Sequence, residues 1–210
     1  MLLAIDTSAG TSVAVVDLVR GVVAEQSTSD TMRHAEVVGR LITDCLRDAA
    51  VPISALSAVV GGMGPGPFTG LRVGIAAARV FALGAGVPFV PVVSHDALAF
   101  GHYQAGHTGP VVVVTDARRR EVNWSVYSGA DAVGLPIRVA APGVAKPAVL
   151  LEAGWPHAAV PRFDAVGVSA GDLGQVAELM WAHQRPFAVD EALYLRSPDV
   201  TLSNGPKRVS

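Results

Sequence analysis

The chain has 210 residues, of which 50% are hydrophobic and 16% are charged, and its formal net charge is −2. This length allows one large domain or two small domains that share an interface, and so small a net charge excludes a general electrostatic attraction to nucleic acid or anionic membranes. The single cysteine, Cys45, excludes an internal disulfide and a cysteine-rich zinc site.

The first residues and the uncharged stretches indicate where the chain resides. Residues 1–6 contain no basic leader and reach a carboxylate at Asp6, which argues against a signal peptide. The longest uncharged stretches, 49–71 and 80–95, are interrupted by glycine and proline and are poor membrane spans. We therefore expect a soluble, cytoplasmic protein with no membrane partner.

Strands and helices alternate in the first half of the chain. Apolar or alternating runs predict strands at 2–5, 12–17, 22–27, 58–60 and 89–93. Apolar residues spaced by three and four predict a helix over 33–49, which Pro52 ends, and further helices are expected over 70–84 and 94–103. Ser94 is the expected N-cap of the last of these helices.

The second half repeats part of this pattern. Strands are expected at 111–115, 121–127, near 136–140 and at 164–168, with a helix over 172–183 and a loose polar tail over 201–210. A strand that ends in an aspartate and leads into a hairpin occurs at Asp6 and again, 110 positions later, at Asp116. Duplicated units of this kind are typical of actin-like and sugar-kinase-like folds. We therefore expect an α/β fold of two actin-like (ribonuclease-H-like, ASKHA) lobes with mixed sheets flanked by helices, residues 1–103 and 104–200, the second lobe being reduced.

The glycine- and proline-rich segment 61–72 follows a predicted strand and opens a predicted helix. Glycines let backbone amides approach a ligand closely, and a helix N-terminus favours anions, although the segment lacks the Lys-Ser/Thr of a Walker A loop. The alternatives are a purely structural turn here and turn-capping aspartates at the two strand ends. The candidate nucleotide- or phosphate-binding residues are Asp6, Thr7, Gly64, Gly66, Thr69 and Asp116.

The helix after this segment is unusually apolar. Between Val73 and Leu83 only Arg79 is charged, so the helix needs cover on nearly every side. That cover comes either from the chain's own fold or from another chain, and the helix over 33–49 is the natural second element of an interface. The candidate interface residues are His34, Val38, Leu41, Ile42, Cys45, Val73, Ala77, Arg79 and Val80.

Two further features bear on chemistry. The one basic run, Arg118, Arg119 and Arg120, is a candidate for contact with phosphate groups, the alternative being a solvated turn. The six histidines include no pair at a spacing of three or four, so we expect no metal site. No nucleophile is accompanied by a base in a recognisable pattern, so no catalytic residue is predicted.

Four strings together resemble the TsaB family, also called YeaZ, in order and spacing. They are Leu3–Ser8, Gly64–Arg72, Asp116–Arg118 with Glu121 and Val122, and Tyr194–Arg196. The Gly-Pro-Gly-x-Phe-Thr-Gly-x-Arg string at 64–72 is the specific one, and the likeness extends over residues 2 to about 197.

The resemblance implies a member of the actin-like ATPase superfamily that acts as a non-catalytic scaffolding and activating subunit. It implies pairing with the paralogue TsaD, which transfers a threonylcarbamoyl group to adenosine 37 of tRNA (t6A synthesis). The ATPase TsaE joins that pair, and the isolated chain is expected to form a homodimer. The complex binds tRNA, and Arg118, Arg119 and Arg120 are the candidate contacts of this chain with tRNA phosphates. No cofactor is required by this chain itself, whereas ATP or ADP is expected in the complex.

Two other functions remain open from the residues. A sugar-kinase-like phosphotransferase would need a full phosphate loop and a catalytic aspartate in a sugar pocket. A peptidase-related protein would need a nucleophile with a base, or a pair of metal ligands. Neither set of residues is recognisable in the sequence.

Overall fold

The computed structural model describes residues 1–30 and 33–196, so the predicted polar tail lies outside the described residues. The first sheet contains five strands in the order β3-β2-β1-β4-β5. The strands are β1 (Leu2–Asp6), β2 (Thr11–Asp17), β3 (Gly21–Thr28), β4 (Ala58–Gly62) and β5 (Phe89–Val92). The first three form an antiparallel meander, and β4 and β5 extend the sheet in parallel to β1.

Helices cover both faces of this sheet. The four helices of the described chain are α1 (His34–Asp48), α2 (Phe68–Ala85), α3 (Ser94–Gln104) and α4 (Ala170–Ala182). Successive residues of a strand point to opposite faces, so Leu3 and Ile5 of β1 pack with α1 and α2, whereas Leu2 and Ala4 pack with α3 and α4. The central strand is therefore buried on both sides, which explains its uninterrupted apolar sequence.

The second sheet contains four strands in the order β8-β7-β6-β9. They are β6 (Val111–Asp116), β7 (Val122–Ala130), β8 (Pro136–Ala145) and β9 (Arg162–Asp164). One face packs against α3 through Val111, Val113 and Tyr127. The other face is covered by Leu150 and Trp155, which belong to a 3-10 turn and loops and not to an α-helix. This confirms that the second lobe is reduced.

The internal repeat is visible in the topology. Strand β1 pairs antiparallel with β2 and parallel with β4, and β6 pairs in the same way with β7 and β9. Asp6 and Asp116 occupy the last positions of the two equivalent strands. The α/β fold of two related lobes with mixed sheets is therefore confirmed.

Three details differ from the sequence-based expectations. The N-cap of α3 is Val93 and not Ser94, because the Ser94 side chain is engaged elsewhere. Strand β9 lies earlier than expected, at the point where it can pair with β6. Helix α4 belongs to the second half of the sequence but packs on the first sheet, where Gly174 lies against side chains of that sheet. The division of the chain at residue 103 stays a prediction.

A buried histidine connects α3 to the second sheet. His95 is fully buried, and its ring nitrogens form hydrogen bonds with Ser125 Oγ on β7 (2.8 Å) and Thr115 Oγ1 on β6 (2.9 Å). A neutral imidazole donates through one nitrogen and accepts through the other, and two hydroxyl groups can satisfy both roles. Burial, with a smaller contribution from the charge of Arg138, lowers the pKa of His95 to about 3.

This environment predicts a specific pH dependence for His95→Gln. Unfolded His95 takes up a proton below its ordinary pKa of about 6.5, whereas the folded residue stays neutral down to about pH 3. The wild type therefore loses stability from this group as the pH falls through that window, and glutamine does not titrate. At pH 7.5 the variant should be less stable by about 1–3 kcal/mol, because buried hydrogen bonds are disturbed.

Urea unfolding between pH 5 and pH 8 measures the effect. The difference in the free energy of unfolding between the wild type and the variant should shrink by about 2 kcal/mol between pH 7.5 and pH 5. This is what a group with an unfolded pKa of about 6.5 contributes over that range. All other titrating groups are the same in both proteins and cancel in the difference. A difference in unfolding free energy that stays constant from pH 5 to pH 8 would contradict a neutral, buried His95.

Candidate functional site

The carboxylate of Asp6 lies at the centre of a buried hydrogen-bond network. Its Oδ1 accepts from Ser8 N (2.8 Å) and Ser8 Oγ (2.6 Å), and its Oδ2 accepts from Ser94 Oγ (2.5 Å). Ser94 Oγ in turn accepts from the backbone N–H of Gly64 (3.0 Å). The network joins the end of β1, the start of α3 and the glycine- and proline-rich loop.

Asp6 is only 2% exposed. Burial raises its pKa above the ordinary value, and the hydrogen bonds from Ser8 and Ser94 act in the opposite direction. Because both oxygens accept hydrogen bonds from protein donors, the described contacts give Asp6 the turn-capping role that was the alternative to phosphate binding. Its role in nucleotide or phosphate binding stays a prediction that none of these contacts supports.

The glycines at 62, 66, 70 and 74 let the turn after β1 pack directly on the loop and on α2. A Cβ atom at Gly62 would overlap the Asp6 carboxylate, and one at Gly74 would overlap Thr7 Oγ1. The same Thr7 Oγ1 donates to Gly70 O at 2.7 Å. Glycines spaced by four residues therefore allow two parts of the same chain to pack closely together. These contacts agree with a structural turn, which was the alternative to a phosphate-binding loop.

The interlobe cavity lies beyond this packed region and has a volume of about 410 Å³. The first half of the chain contributes Gly66, Pro67, Phe68 and Thr69, and the second half contributes Ala117, Arg118, Arg119, Asn123, Val144, Tyr194, Leu195 and Arg196. The fold thus brings Gly66 and Thr69, predicted as phosphate candidates, to the same cavity as Arg118 and Arg119, predicted as tRNA contacts. Gly64, Asp116 and Arg120 are not among its lining residues.

The arginine turn has an unusual backbone. Arg118, Arg119 and Arg120 have φ values of 65°, 53° and 62°, a left-handed conformation that non-glycine residues adopt rarely and at some energetic cost. Asp116 stabilises the turn, since its Oδ1 accepts from Arg118 N at 2.8 Å and its Oδ2 lies 3.5 Å from Arg118 Nη1. Asp116 therefore acts as a turn cap at an exposed strand end, unlike the buried Asp6.

Asn123 is a cavity residue that the sequence analysis missed. It lies on β7, is only 3% exposed, and its Nδ2 has no hydrogen-bond partner among residues 1–30 and 33–196. A single amide in an alternating strand carries no signal of its own, so nothing in the sequence distinguished it. Within the same described ranges, no three or more His, Cys, Asp or Glu side chains come together in a way that could hold a metal ion.

Five of the nine predicted interface residues are part of the chain's own core, which corrects the prediction for α1. Val38, Leu41, Ile42 and Cys45 are buried against the first sheet. The Cys45 thiol donates weakly to Val13 O, and burial raises its pKa to about 11. His34 is also buried, with its Nδ1 2.7 Å from Thr11 Oγ1. The apolar stripe of α1 faces inward because it covers the sheet.

Helix α2, by contrast, leaves an apolar surface uncovered, which we call the α2 stripe (Val73, Ala76, Ala77, Val80 and Leu83). Val80 is 69% exposed and Leu83 is 82% exposed, whereas Val73 and Ala77 are half-buried. Arg79 lies beside the stripe and pairs with Asp190 at 2.6 Å.

Among the described helices, α2 alone has the length and mean hydropathy of a membrane span, and one third of it is buried in this fold. Core helices of soluble proteins can have the same length and mean hydropathy. Its apolar character is accounted for in part by Leu71, Ala78 and Ala82, which are buried in the chain's own core.

Two lobes of the same topology, with a cavity between them, define a protein of the actin-like ATPase fold. A family model described as "TsaD: tRNA N6-adenosine threonylcarbamoyltransferase" matches residues 14–166. The chain belongs to this family, and its relatives assign it to the TsaB (YeaZ) type within it.

Three similar proteins represent the relatives of this chain. An uncharacterized protein of Mycobacterium tuberculosis, Rv3421c, is 40% identical over 205 residues, which cover 94% of this chain and 92% of that protein. The tRNA threonylcarbamoyladenosine biosynthesis protein TsaB of Escherichia coli is 33% identical over 94 residues, covering 45% of this chain and 41% of that one. A crystal structure from Pseudomonas aeruginosa, described as similar to peptidase YEAZ, has a TM-score of 0.77 at 26% identity and covers 93% of this chain and 99% of that chain.

The glycine packing predicts opposite effects for two alanine substitutions in α2. Gly74→Ala should lower the free energy of unfolding by about 2–4 kcal/mol, because the new methyl group overlaps Thr7 Oγ1 in a buried contact. Gly84→Ala meets no atom within 4 Å and should raise stability by about 0.5–1 kcal/mol through helix propensity. Urea unfolding of both variants measures the difference. Equal effects of the two substitutions would show that the turn after β1 does not pack on α2 in this way.

Proposed function

We propose that the chain is a non-catalytic subunit that pairs with a TsaD-type protein in threonylcarbamoyladenosine synthesis on tRNA. The observation that carries this proposal is the α2 stripe, an apolar helix face that the described fold leaves uncovered. Membership in the TsaD family and the function given in the names of the TsaB relatives indicate the pathway. The stripe supplies a means of assembly.

The α2 stripe has the composition of an interface centre. Val80 and Leu83 offer large exposed side chains, and burial of each contributes about 1.5–3 kcal/mol. The neighbouring Ala76 and Ala77 are small, so a second helix can approach the α2 backbone closely. Stable interfaces bury roughly 800 Å² on each partner, more than one helix face alone provides.

The outward face of α1 extends this surface with polar groups. Helix α1 packs beside α2, and its exposed side carries Arg40 and Arg47, both paired with Asp44 at 3.8 Å and 2.8 Å. An apolar centre with a charged rim is the usual arrangement of protein interfaces. In this proposal α1 contributes its polar face to the rim, and its apolar stripe remains in the core of the chain.

The chemistry is proposed to take place on the TsaD-type partner, because both carboxylate oxygens of Asp6 are engaged in holding the turn. The isolated chain would use the same α2 stripe to form a homodimer. TsaE, ATP or ADP, and tRNA would bind to the assembled complex in the cytoplasm. The basic turn at Arg118 and Arg119 is the part of this chain best suited to a tRNA phosphate.

A charged substitution on the stripe tests the proposal. The double variant Val80→Glu with Leu83→Glu should weaken binding to the TsaD-type protein of the same organism by at least about 100-fold, because two carboxylates would be desolvated in the interface. Both residues are exposed, so the variant should remain folded with nearly unchanged stability. Co-elution on a sizing column and threonylcarbamoylation of tRNA by the mixed proteins are the measurements.

The double variant Leu18→Glu with Val19→Glu provides the matched control. Leu18 is 59% exposed and Val19 is 92% exposed on the turn between β2 and β3, so the same two charges are added to a surface outside the proposed interface. The control should co-elute and support tRNA modification like the wild type. If the Val80→Glu with Leu83→Glu variant does so as well, the α2 stripe is not the interface.

A further inference from the structure

We propose that a second cavity, beneath the segment that follows α4, binds a free α-amino acid with an apolar side chain. We call this segment the strap (185–196). The cavity has a volume of about 570 Å³ and is lined by the strap, the start of α3, the end of α4 and β8. In the described part of the chain it shares no lining residue with the interlobe cavity. The inference concerns a ligand of this chain alone and does not depend on the α2 stripe or on tRNA modification.

Two charged side chains offer unused hydrogen-bonding groups to this cavity. Asp96 Oδ1 accepts from the Tyr127 hydroxyl at 2.7 Å and lies 3.5 Å from Arg138 Nη1, which is too long for a good hydrogen bond. Within residues 1–30 and 33–196, Asp96 Oδ2 accepts no hydrogen bond and the Arg138 guanidinium donates none. The Asp96 side chain is nevertheless only 20% exposed. The pair therefore presents an acceptor and several donors that a ligand can use.

The two charged groups of an α-amino acid complement this pair. Its ammonium and carboxylate groups are attached to the same carbon atom, so they lie side by side as Asp96 and Arg138 do. Asp96 Oδ2 would accept from the ammonium group, and the guanidinium would donate to both oxygens of the carboxylate. Burial raises the pKa of Asp96 and the charge of Arg138 lowers it, so a second cation beside Asp96 would further favour its ionised form.

The balance of charge favours a zwitterion over a simple ion. The third charged side chain in the described lining is Glu191, which is exposed on the strap. Two carboxyl groups against one guanidinium disfavour a ligand that carries only a negative charge. Arg138 in turn disfavours a ligand that carries only a positive charge. A ligand with both charges next to each other meets an opposite charge at each end.

The remaining walls are apolar and supply a place for the side chain of the ligand. Met63 and Val92 line the cavity from the first lobe, Met180 from α4, and Phe187 and Leu193 from the strap. Methionine side chains adapt to irregular shapes, so these walls can enclose more than one apolar side chain. A site with apolar walls and a few convergent polar groups has the usual composition of a small-molecule pocket, and its volume lies within the usual range of roughly 300–1,000 Å³.

The strap is fixed in position by contacts on both sides of the cavity. The backbone N–H of Ala188 donates to Pro91 O at 3.2 Å, and that of Leu193 donates to Met63 O at 2.8 Å. At the start of the strap, Arg185 pairs with Asp131 at 3.0 Å. A cavity whose walls are already held in place loses little conformational entropy when a ligand enters.

Calorimetry on the isolated full-length chain tests the proposal with L-leucine and L-phenylalanine as probes. Isocaproate and hydrocinnamate are the matched compounds without the ammonium group, and isoamylamine and phenethylamine are those without the carboxylate. At least one of the two amino acids should bind, and it should bind at least about tenfold more tightly than either matched compound, because each of these leaves one charged side chain without its partner. L-serine, which has no apolar side chain, should also bind at least about tenfold more weakly.

Two variants remove the proposed contacts one at a time. Asp96→Asn and Arg138→Gln should each weaken binding of the amino acid at least about tenfold, because each removes the charge that faces one end of the zwitterion. Arg138 lies on the edge strand β8 with its side chain 30% exposed, so Arg138→Gln should remain folded even if the more buried Asp96→Asn does not.

The Arg162–Asp164 pair on β9 provides matched controls. Asp164→Asn and Arg162→Gln remove the same charges from the same sheet at positions that are not among the described lining residues, so both should bind the amino acid like the wild type. The proposal is overturned if neither amino acid binds the wild type, or if serine or a compound lacking one charged group binds as tightly. It is equally overturned if Arg138→Gln or a folded Asp96→Asn keeps wild-type affinity, or if the controls lose as much affinity as these variants.

Discussion

The buried carboxylate of Asp6 is the interaction on which the arrangement of the first lobe depends. It ties together the end of β1, the first residue of α3 and, through the Ser94 hydroxyl, the backbone of the glycine- and proline-rich loop. A buried carboxyl group is stable in such a place only when hydrogen-bond partners surround it, and here two serine side chains and a backbone N–H do so. The loop is therefore fixed in position, and so is the helix that it starts.

The direction of α2 follows from this constraint. Glycines remove the side chains that would separate the helix from the turn after β1, so α2 begins in direct contact with Thr7. Leu71, Ala78 and Ala82 then turn inward, and Val80 and Leu83 must turn outward because the helical period leaves no alternative. An apolar surface on a fixed helix is pre-organised for a partner, since little conformational entropy is lost when it is covered.

The two halves of the duplicated fold use equivalent aspartates differently. Asp6 ends a strand that helices cover on both faces, and it is buried by the loop that packs on it. Asp116 ends the equivalent strand of a lobe with one helix-covered face, and its carboxylate is exposed and caps the arginine turn. The strand-end carboxylate is thus buried in the first lobe and exposed in the second. Arg118 and Arg119, which follow Asp116, are exposed at the interlobe cavity.

Much of the fold was determined by the sequence itself. Apolar runs and their periods predicted the strands of both sheets and all four helices, and the recurrence of strand, aspartate and hairpin predicted the two lobes. These features depend on the spacing of residues that are close together in the sequence, so the sequence alone is sufficient to detect them. The glycine-rich string at 64–72 also indicated the family by its resemblance, and in the structure its Gly66 and Gly70 lie in close contact with the turn after β1.

The tertiary structure alone decided what each apolar or polar group meets. The spacing of Val38, Leu41 and Ile42 shows that α1 has an apolar face, but only the packed sheet shows that this face is already covered. The Ser94 hydroxyl is equally capable of capping a helix and of binding Asp6, and contact with a residue 88 positions away settles the choice. Asn123 became a candidate only when its neighbours in space left its Nδ2 without an acceptor. Burial and hydrogen bonding are properties of distant residues brought together, and no local pattern records them.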